Sequence, residues 1–153
     1  MDYILNNTYS ITQLKHKLSI LKSYLLQTFF GGPQPALNPK DEAFLKALPE
    51  SFLKQFNAGN VYKLFKEMED QINKLPVLII YLTFETDDES LAQIGQFIRK
   101  NLSSPVILDT KYDPGLIAGA ALAWKGVYRD YSLRAKLEEK KGEILGSFKR
   151  FLR

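Results

Sequence analysis

The chain has 153 residues, 45% hydrophobic and 25% charged, the balance of a folded globular protein of one medium or two small domains. It has no cysteine and a single histidine, His16. Disulfides, thiolate nucleophiles, cysteine-ligated metals and sites needing two histidines from one chain are thereby excluded. The formal charge is +4, and residues 134–153 carry all of it: seven basic side chains stand there against three acidic ones.

The N-terminus, Met1-Asp2-Tyr3-Ile4-Leu5-Asn6-Asn7, lacks the basic start and long apolar run of a signal peptide. The longest apolar runs, Val77–Leu82 and Leu116–Trp124, are too short to span a bilayer. The expectation is a soluble protein. Residues 11–30 place Ile11, Leu14, Leu18, Leu21, Leu25 and Phe29 on one helical face, with Ser10 or Thr8 available to cap the start. Gly31-Gly32-Pro33-Gln34-Pro35 ends that helix, and a loop is expected over 31–39. Gly31-Gly32 is a terminator and not a phosphate loop, because no Gly-Lys-Ser/Thr follows. Helical spacing resumes over Asp41–Phe56 with Phe44, Leu45, Leu48, Phe52, Leu53 and Phe56; Pro49 leaves either one interrupted helix or two short ones. Asn57–Asn60 is a stop and restart, and Val61–Leu75 is a further helix closed by Pro76.

The pattern then changes. Val77–Phe84 is continuous, branched and aromatic, as expected of a strand buried on both faces. Thr86-Asp87-Asp88-Glu89 reads as a capping box, with Thr86 the cap and Glu89 reaching back. The helix it opens carries Leu91, Ile94, Ile98 and Leu102, and Ser103-Ser104-Pro105 stops it. Val106–Tyr112 alternates as a second strand, and Asp113-Pro114-Gly115 is a turn. Leu116–Trp124 is expected to be a strand entering a hairpin at Lys125-Gly126, with Val127–Leu133 returning. A basic helix runs from Arg134. The fold class is therefore α+β: a small helical bundle over 1–75, then a compact mixed-sheet domain over 76–153 in the order strand–helix–strand–strand–strand–helix.

No constellation of catalytic, cofactor-binding or metal-ligating residues emerges. His16 is expected on a solvent-facing helix position. Asp87, Asp88 and Glu89 suit helix capping and the helix dipole. Asp113 suits a turn, and Asp109 an exposed strand face. Phe29, Phe30, Phe44, Phe52 and Phe56 belong to a core or to an interaction groove. Ile144, Leu145, Phe148 and Leu152 make the basic tail amphipathic. It suits a helix packed on its own sheet, or one that meets nucleic acid, anionic lipid or an acidic partner helix.

One stretch is specific. It reads Asp113-Pro114-Gly115-Leu116-Ile117-Ala118-Gly119, then Gly126, then Asp130-Tyr131-Ser132-Leu133-Arg134-Ala135-Lys136-Leu137. It resembles the delta subunit of F-type ATP synthases, the oligomycin-sensitivity-conferring protein family. The family pattern has Asp-Pro-Ser, an aliphatic pair, Gly-Gly, a glycine turn, then Asp-x-Ser-aliphatic-basic. Gly115 stands here for the serine and Ala118 for the first glycine. The resemblance covers roughly residues 76–140 and implies a non-catalytic stator subunit without cofactor. Its helical half would grip alpha subunits of the catalytic head and its other half the b-subunit stalk. It implies no nucleic-acid partner and a place at the cytoplasmic face of the bacterial plasma membrane, reached only through a proton- or sodium-translocating complex. The family's first domain is a bundle of about six helices, so the 75 residues before the sheet imply a shortened version of three or four. The alternative is a small basic-tailed module for nucleic acid or a membrane surface.

Overall fold

The computed structural model describes residues 2–6, 8–32, 36–102 and 106–152. The sequence expectations at Pro33-Gln34-Pro35 and Ser103-Ser104-Pro105 lie outside the described residues. So do those at Met1, Asn7 and Arg153, and the side chain of Leu102. The chain forms two compact units, Met1–Pro76 with Ser103–Ile107, and Val77–Leu102 with Leu108–Arg153.

The first unit holds helices α1 (Asp2–Asn6), α2 (Ile11–Phe30), α3 (Pro39–Lys46), α4 (Glu50–Leu53) and α5 (Val61–Asn73). Five helical segments replace the expected three or four, because two are about one turn long and too short to show an apolar period. Helix α1 is fixed by Ile4, which is buried in the core, and by the Tyr3 hydroxyl, which donates to the Ala47 carbonyl. Ser10 is the cap of α2, its Oγ accepting from the Gln13 N–H at 3.1 Å. Thr8 is buried instead and donates to the Ile4 carbonyl at 2.6 Å. Helix α3 begins at Pro39, inside the expected loop. Asn38 caps it at 2.8 Å from the Asp41 N–H, and proline is preorganised for a first helical position. Pro49 separates α3 from α4, which settles the open reading as two helices. The core gathers Leu14, Leu18, Leu21 and Leu25 of α2 with Val61, Phe65, Met68 and Ile72 of α5. Ile107 joins them. Phe56 lies 5.4 Å from the Phe65 ring, and Phe52 lies 5.4 Å from Phe56.

The second unit holds strands β1 (Val77–Leu82), β2 (Ile107–Tyr112, whose first residue belongs to the first unit), β3 (Ala120–Trp124) and β4 (Val127–Asp130) in the order β2-β1-β3-β4. Helices α6 (Asp88–Leu102), α7 (Leu133–Glu139) and α8 (Lys141–Phe151) complete it. Strand β1 pairs antiparallel with β3, and β3 with β4. The Ile107 N–H donates to the Pro76 carbonyl and the Asp113 N–H to the Leu82 carbonyl, so β1 and β2 advance together and the sheet is mixed. Helix α6 is the crossover such a parallel pair requires.

Five local expectations are corrected. Strand β1 is not buried on both faces: Leu78, Ile80 and Leu82 are buried, whereas Val77, Ile79 and Tyr81 are half-covered. The register sets Ala123 and Ala121 beside Ile79 and Tyr81, and a methyl side chain covers little. Residues 116–119 are not strand, because Pro114–Leu116 forms a single 3-10 turn capped by Asp113. The cap of α6 is Asp87, whose Oδ1 accepts from the Ser90 N–H at 2.7 Å. Thr86 Oγ1 instead lies 3.0 Å from Thr110 Oγ1. Strand β4 stops at Asp130, short of Leu133, because Ser132 turns the chain into α7. The basic tail is two helices that meet at Lys140.

Candidate functional site

The segment Asp113–Gly119 is shaped by its own hydrogen bonds. Asp113 Oδ1 accepts from the Gly115 N–H at 2.9 Å, and Pro114 fixes the next backbone angle. Leu116 is fully buried. Ile117 has φ 68° and ψ −54°, and the Ala118 N–H donates to the Leu116 carbonyl at 2.8 Å. That is a γ-turn centred on a β-branched residue, a strained arrangement. The Ile117 side chain it presents is 59% exposed.

This segment is fastened to Asp130–Leu137. The Leu133 N–H donates to the Ala118 carbonyl at 2.8 Å, and the Tyr131 N–H to the Ala120 carbonyl at 3.0 Å. Gly119 has φ 86°, and a Cβ there would lie 2.8 Å from the Tyr131 carbonyl oxygen, so only glycine fits. Ser132 is fully buried and caps α7 through the Ala135 N–H at 3.2 Å. Asp130 Oδ1 accepts from the Ser132 N–H at 2.8 Å, and Asp130 Oδ2 lies 3.5 Å from Arg134 Nη2. Hydrogen bonds from Ser132, helped by Arg134, hold the Asp130 carboxyl below its ordinary range. Desolvation, with Asp130 adding to it, raises the nearby Tyr128 phenol.

The fold thus brings together twelve of the thirteen motif residues. Asp113, Pro114, Gly115, Leu116, Gly119, Asp130 and Ser132 build the junction, while Ile117, Leu133, Lys136 and Leu137 stay exposed around it and Arg134 pairs with Asp130. Gly126 stands apart. With Lys125 it forms the two-residue turn of the β3–β4 hairpin, both residues at positive φ. Three carboxylates of this unit are engaged: Asp109 lies 3.8 Å from Lys111, and Asp113 and Asp130 serve the turns just described. His16 is half-exposed as expected, and its Nε2 lies 3.0 Å from Asp41 Oδ1. Among the described residues no group of three or more His, Cys, Asp or Glu is placed to hold a metal.

What the geometry offers is surface. In the first unit, α2 and α5 border a cleft of about 370 Å³ lined by Lys15, Leu18, Ser19, Lys22, Glu69, Ile72 and Asn73. Lys22 Nζ lies 3.2 Å from Glu69 Oε1 at its rim. In the second unit, Leu78, Leu122, Trp124 and Val127 floor a groove of about 440 Å³ flanked by Lys125 and Arg129. Leu145, Phe148 and Phe151 of α8, and Leu152 at its C-cap, are all at least half exposed. Residue spacing signalled the α8 face, though without Phe151. It did not signal the cleft or the groove, each of which needs elements distant in sequence.

A helical unit with a cleft is thus followed by a mixed-sheet unit that carries the Asp113–Leu137 junction. The family model for the ATP synthase delta (OSCP) subunit matches residues 13–144. The chain belongs to that family. It is similar to the ATP synthase subunit delta of Dichelobacter nodosus (strain VCS1703A), with 24% identity over 103 residues, 67% of this chain and 55% of the relative. The chain spans about half the length of the curated relative it matches. Among the described residues no helix is long and apolar enough to cross a membrane.

Proposed function

We propose that the chain is a non-catalytic stator subunit of a rotary F-type ATP synthase, joining the alpha/beta catalytic head to the peripheral b-subunit stalk. The observation that carries this reading is the family match across residues 13–144, which runs through both units and includes the Asp113–Leu137 junction. The chemistry asked of such a part is mechanical. A stator holds the head still while the rotor turns, so it needs contact area and several anchors, not a reactive group.

The first unit serves the head in this reading. Its α2–α5 cleft has an apolar floor of Leu18 and Ile72 between polar rims, and is suited to a short amphipathic helix such as an alpha-subunit N-terminal segment. The second unit serves the stalk. The protein then sits peripherally at the cytoplasmic face of the plasma membrane, held there by the complex. Torque transmission puts this subunit under load, and the Gly119 close approach together with the buried Ser132 cap makes the motif a rigid corner.

The test is capture. The immobilised 153-residue chain is expected to retain both the alpha and the b subunits from the same organism at micromolar concentration. Failure to retain either one overturns the reading. Steeply salt-dependent retention of nucleic acid or anionic vesicles, lost on removing residues 134–153, would support the basic-tailed module in its place.

A further inference from the structure

The sheet of the second unit ends on β4, and among the described residues that edge is open. The opposite edge strand, β2, begins with two buried residues, Ile107 and Leu108. On β4, by contrast, Val127 and Tyr128 are 56% and 54% exposed, and Arg129 is exposed as well. The Tyr131 N–H donates to the Ala120 carbonyl, one step beyond the Ala121–Asp130 pair. Backbone polar groups alternate in direction along a strand. Those of Val127 and Arg129 therefore face β3, and those of Tyr128 and Asp130 face outward. Among the described residues no backbone partner meets that outer row. The register also sets Leu78, Leu122, Trp124, Val127 and Arg129 on one face, where they line the groove of about 440 Å³. Lys125, in the hairpin turn, holds its Nζ 5.6 Å from the Trp124 ring centre. Neither Lys125 nor Arg129 has a carboxylate partner among the described residues.

We propose that β4 takes up an extended acidic segment of another protein chain as a fifth strand, with an aliphatic side chain at its centre and carboxylates on either side. An added strand lies about 4.8 Å away and bonds to the outward groups of Tyr128 and Asp130. Its residue opposite Val127 reaches the floor of Leu78, Leu122 and Trp124, and those opposite Arg129 and Lys125 point to the same face. The pattern that fits is acidic-x-aliphatic-x-acidic, which reads alike in either direction. Charge selects it. Cations on an exposed edge keep like edges apart, and the same cations favour a strand that carries carboxylates. A second copy is the wrong occupant. Its outward groups are also those of Tyr128 and Asp130, so a symmetric antiparallel pairing centres on Tyr128, Arg129 or Asp130. The last two oppose like charges directly, and the first puts both Arg129 guanidiniums on one face with no carboxylate between them. An anionic lipid surface offers no strand to pair the outward backbone row. Nothing in this proposal depends on the stator reading.

The experiment uses the 153-residue chain and fluorescent synthetic peptides of about nine residues, with valine at the centre and threonine at the x positions. One peptide carries glutamate at the flanking positions and the other lysine. Fluorescence anisotropy is expected to show binding of the glutamate peptide at least about tenfold tighter than that of the lysine peptide. The double substitution Lys125→Glu/Arg129→Glu should reverse that preference, and Val127→Ser should weaken the glutamate peptide about tenfold. All three side chains are exposed, so the variants are expected to fold, with far-ultraviolet circular dichroism as the check. Strand addition itself is tested in the peptide, where no variant has to fold. Methylating alternate backbone nitrogens of the glutamate peptide blocks one row of amides at a time. One row should abolish binding and the other leave it within about threefold. Equal binding of the glutamate and lysine peptides, or the same effect from both methylated rows, overturns the proposal. So does a preference unmoved by the charge reversal. A dimer in sedimentation velocity that Val127→Ser abolishes, or adsorption to phosphatidylserine-containing vesicles without peptide binding, overturns it as well.

Discussion

Ile117 and Gly119 sit two residues apart, both at positive φ, and differ in what that conformation costs. A branched side chain in this region costs about 1–2 kcal/mol, more than the roughly 0.5–1 kcal/mol of added chain entropy that glycine loses on folding. Ile117→Gly is therefore expected to raise stability by about 0.5 kcal/mol, read from a urea unfolding midpoint. Gly119→Ala should do the opposite. The new Cβ meets the backbone of Tyr131 and Ser132, which cannot yield as a flexible side chain would. A loss of about 2–4 kcal/mol is expected, against about 1 kcal/mol for Gly126→Ala, whose turn has open space around it. Equal losses at the two glycines would remove the close approach from the account. Asp130 belongs to the same scale. Its folded-state pKa is depressed, so its contribution is present above the unfolded carboxylate value near about 4 and is lost as pH falls through the folded value. Thermal unfolding of Asp130→Asn should lie below the parent at neutral pH, and the two curves should converge under acid conditions.

At the level of elements, helix starts decide where the motifs fall. Ser10, Asn38, Asp87 and Ser132 each accept a backbone N–H at a helix start. Ser132 has the most at stake because it is fully buried and its side chain also hydrogen-bonds Asp130. Ser132→Ala is expected to destabilise by about 2 kcal/mol, the upper end for a lost cap, while Ser10→Ala should cost about 1 kcal/mol. Both are measurable by chemical denaturation. For α6 the assignment of the cap is itself testable. Asp87→Ala should lower the melting temperature through the helix, whereas Thr86→Ala removes only the bond to Thr110. The capping-box pattern was legible, but its register was not. Thr86, Asp87 and Asp88 are all competent caps, and the contact between Thr86 and Thr110 of β2 draws the threonine away.

At the scale of the whole molecule, two units with separate cores make two reporters possible. Phe65 is fully buried in the first unit, and the lone Trp124 lies in the second. Phe65→Ala should cost the first unit about 3–5 kcal/mol. Helical circular dichroism is then expected to melt earlier than tryptophan fluorescence; a single coincident transition would show that the units unfold as one. The split also bears on the proposed function, in which each unit would hold a different partner.

The sequence by itself determined the α+β class, the long helices α2 and α5, the hairpin and the junction motif. Those depend on local periodicity and on turn residues whose backbone preferences act within a few positions. The tertiary structure alone decided the rest. It made one-turn helices of segments such as Asp2–Asn6, whose stability comes from burying Ile4 and not from propensity. It turned residues 116–119 away from strand, because hydrogen bonds to Asp130–Leu133 hold them in place. It also left the stripe on α8 uncovered, since amphipathic spacing shows that a helix has an apolar face but not whether its own chain covers it.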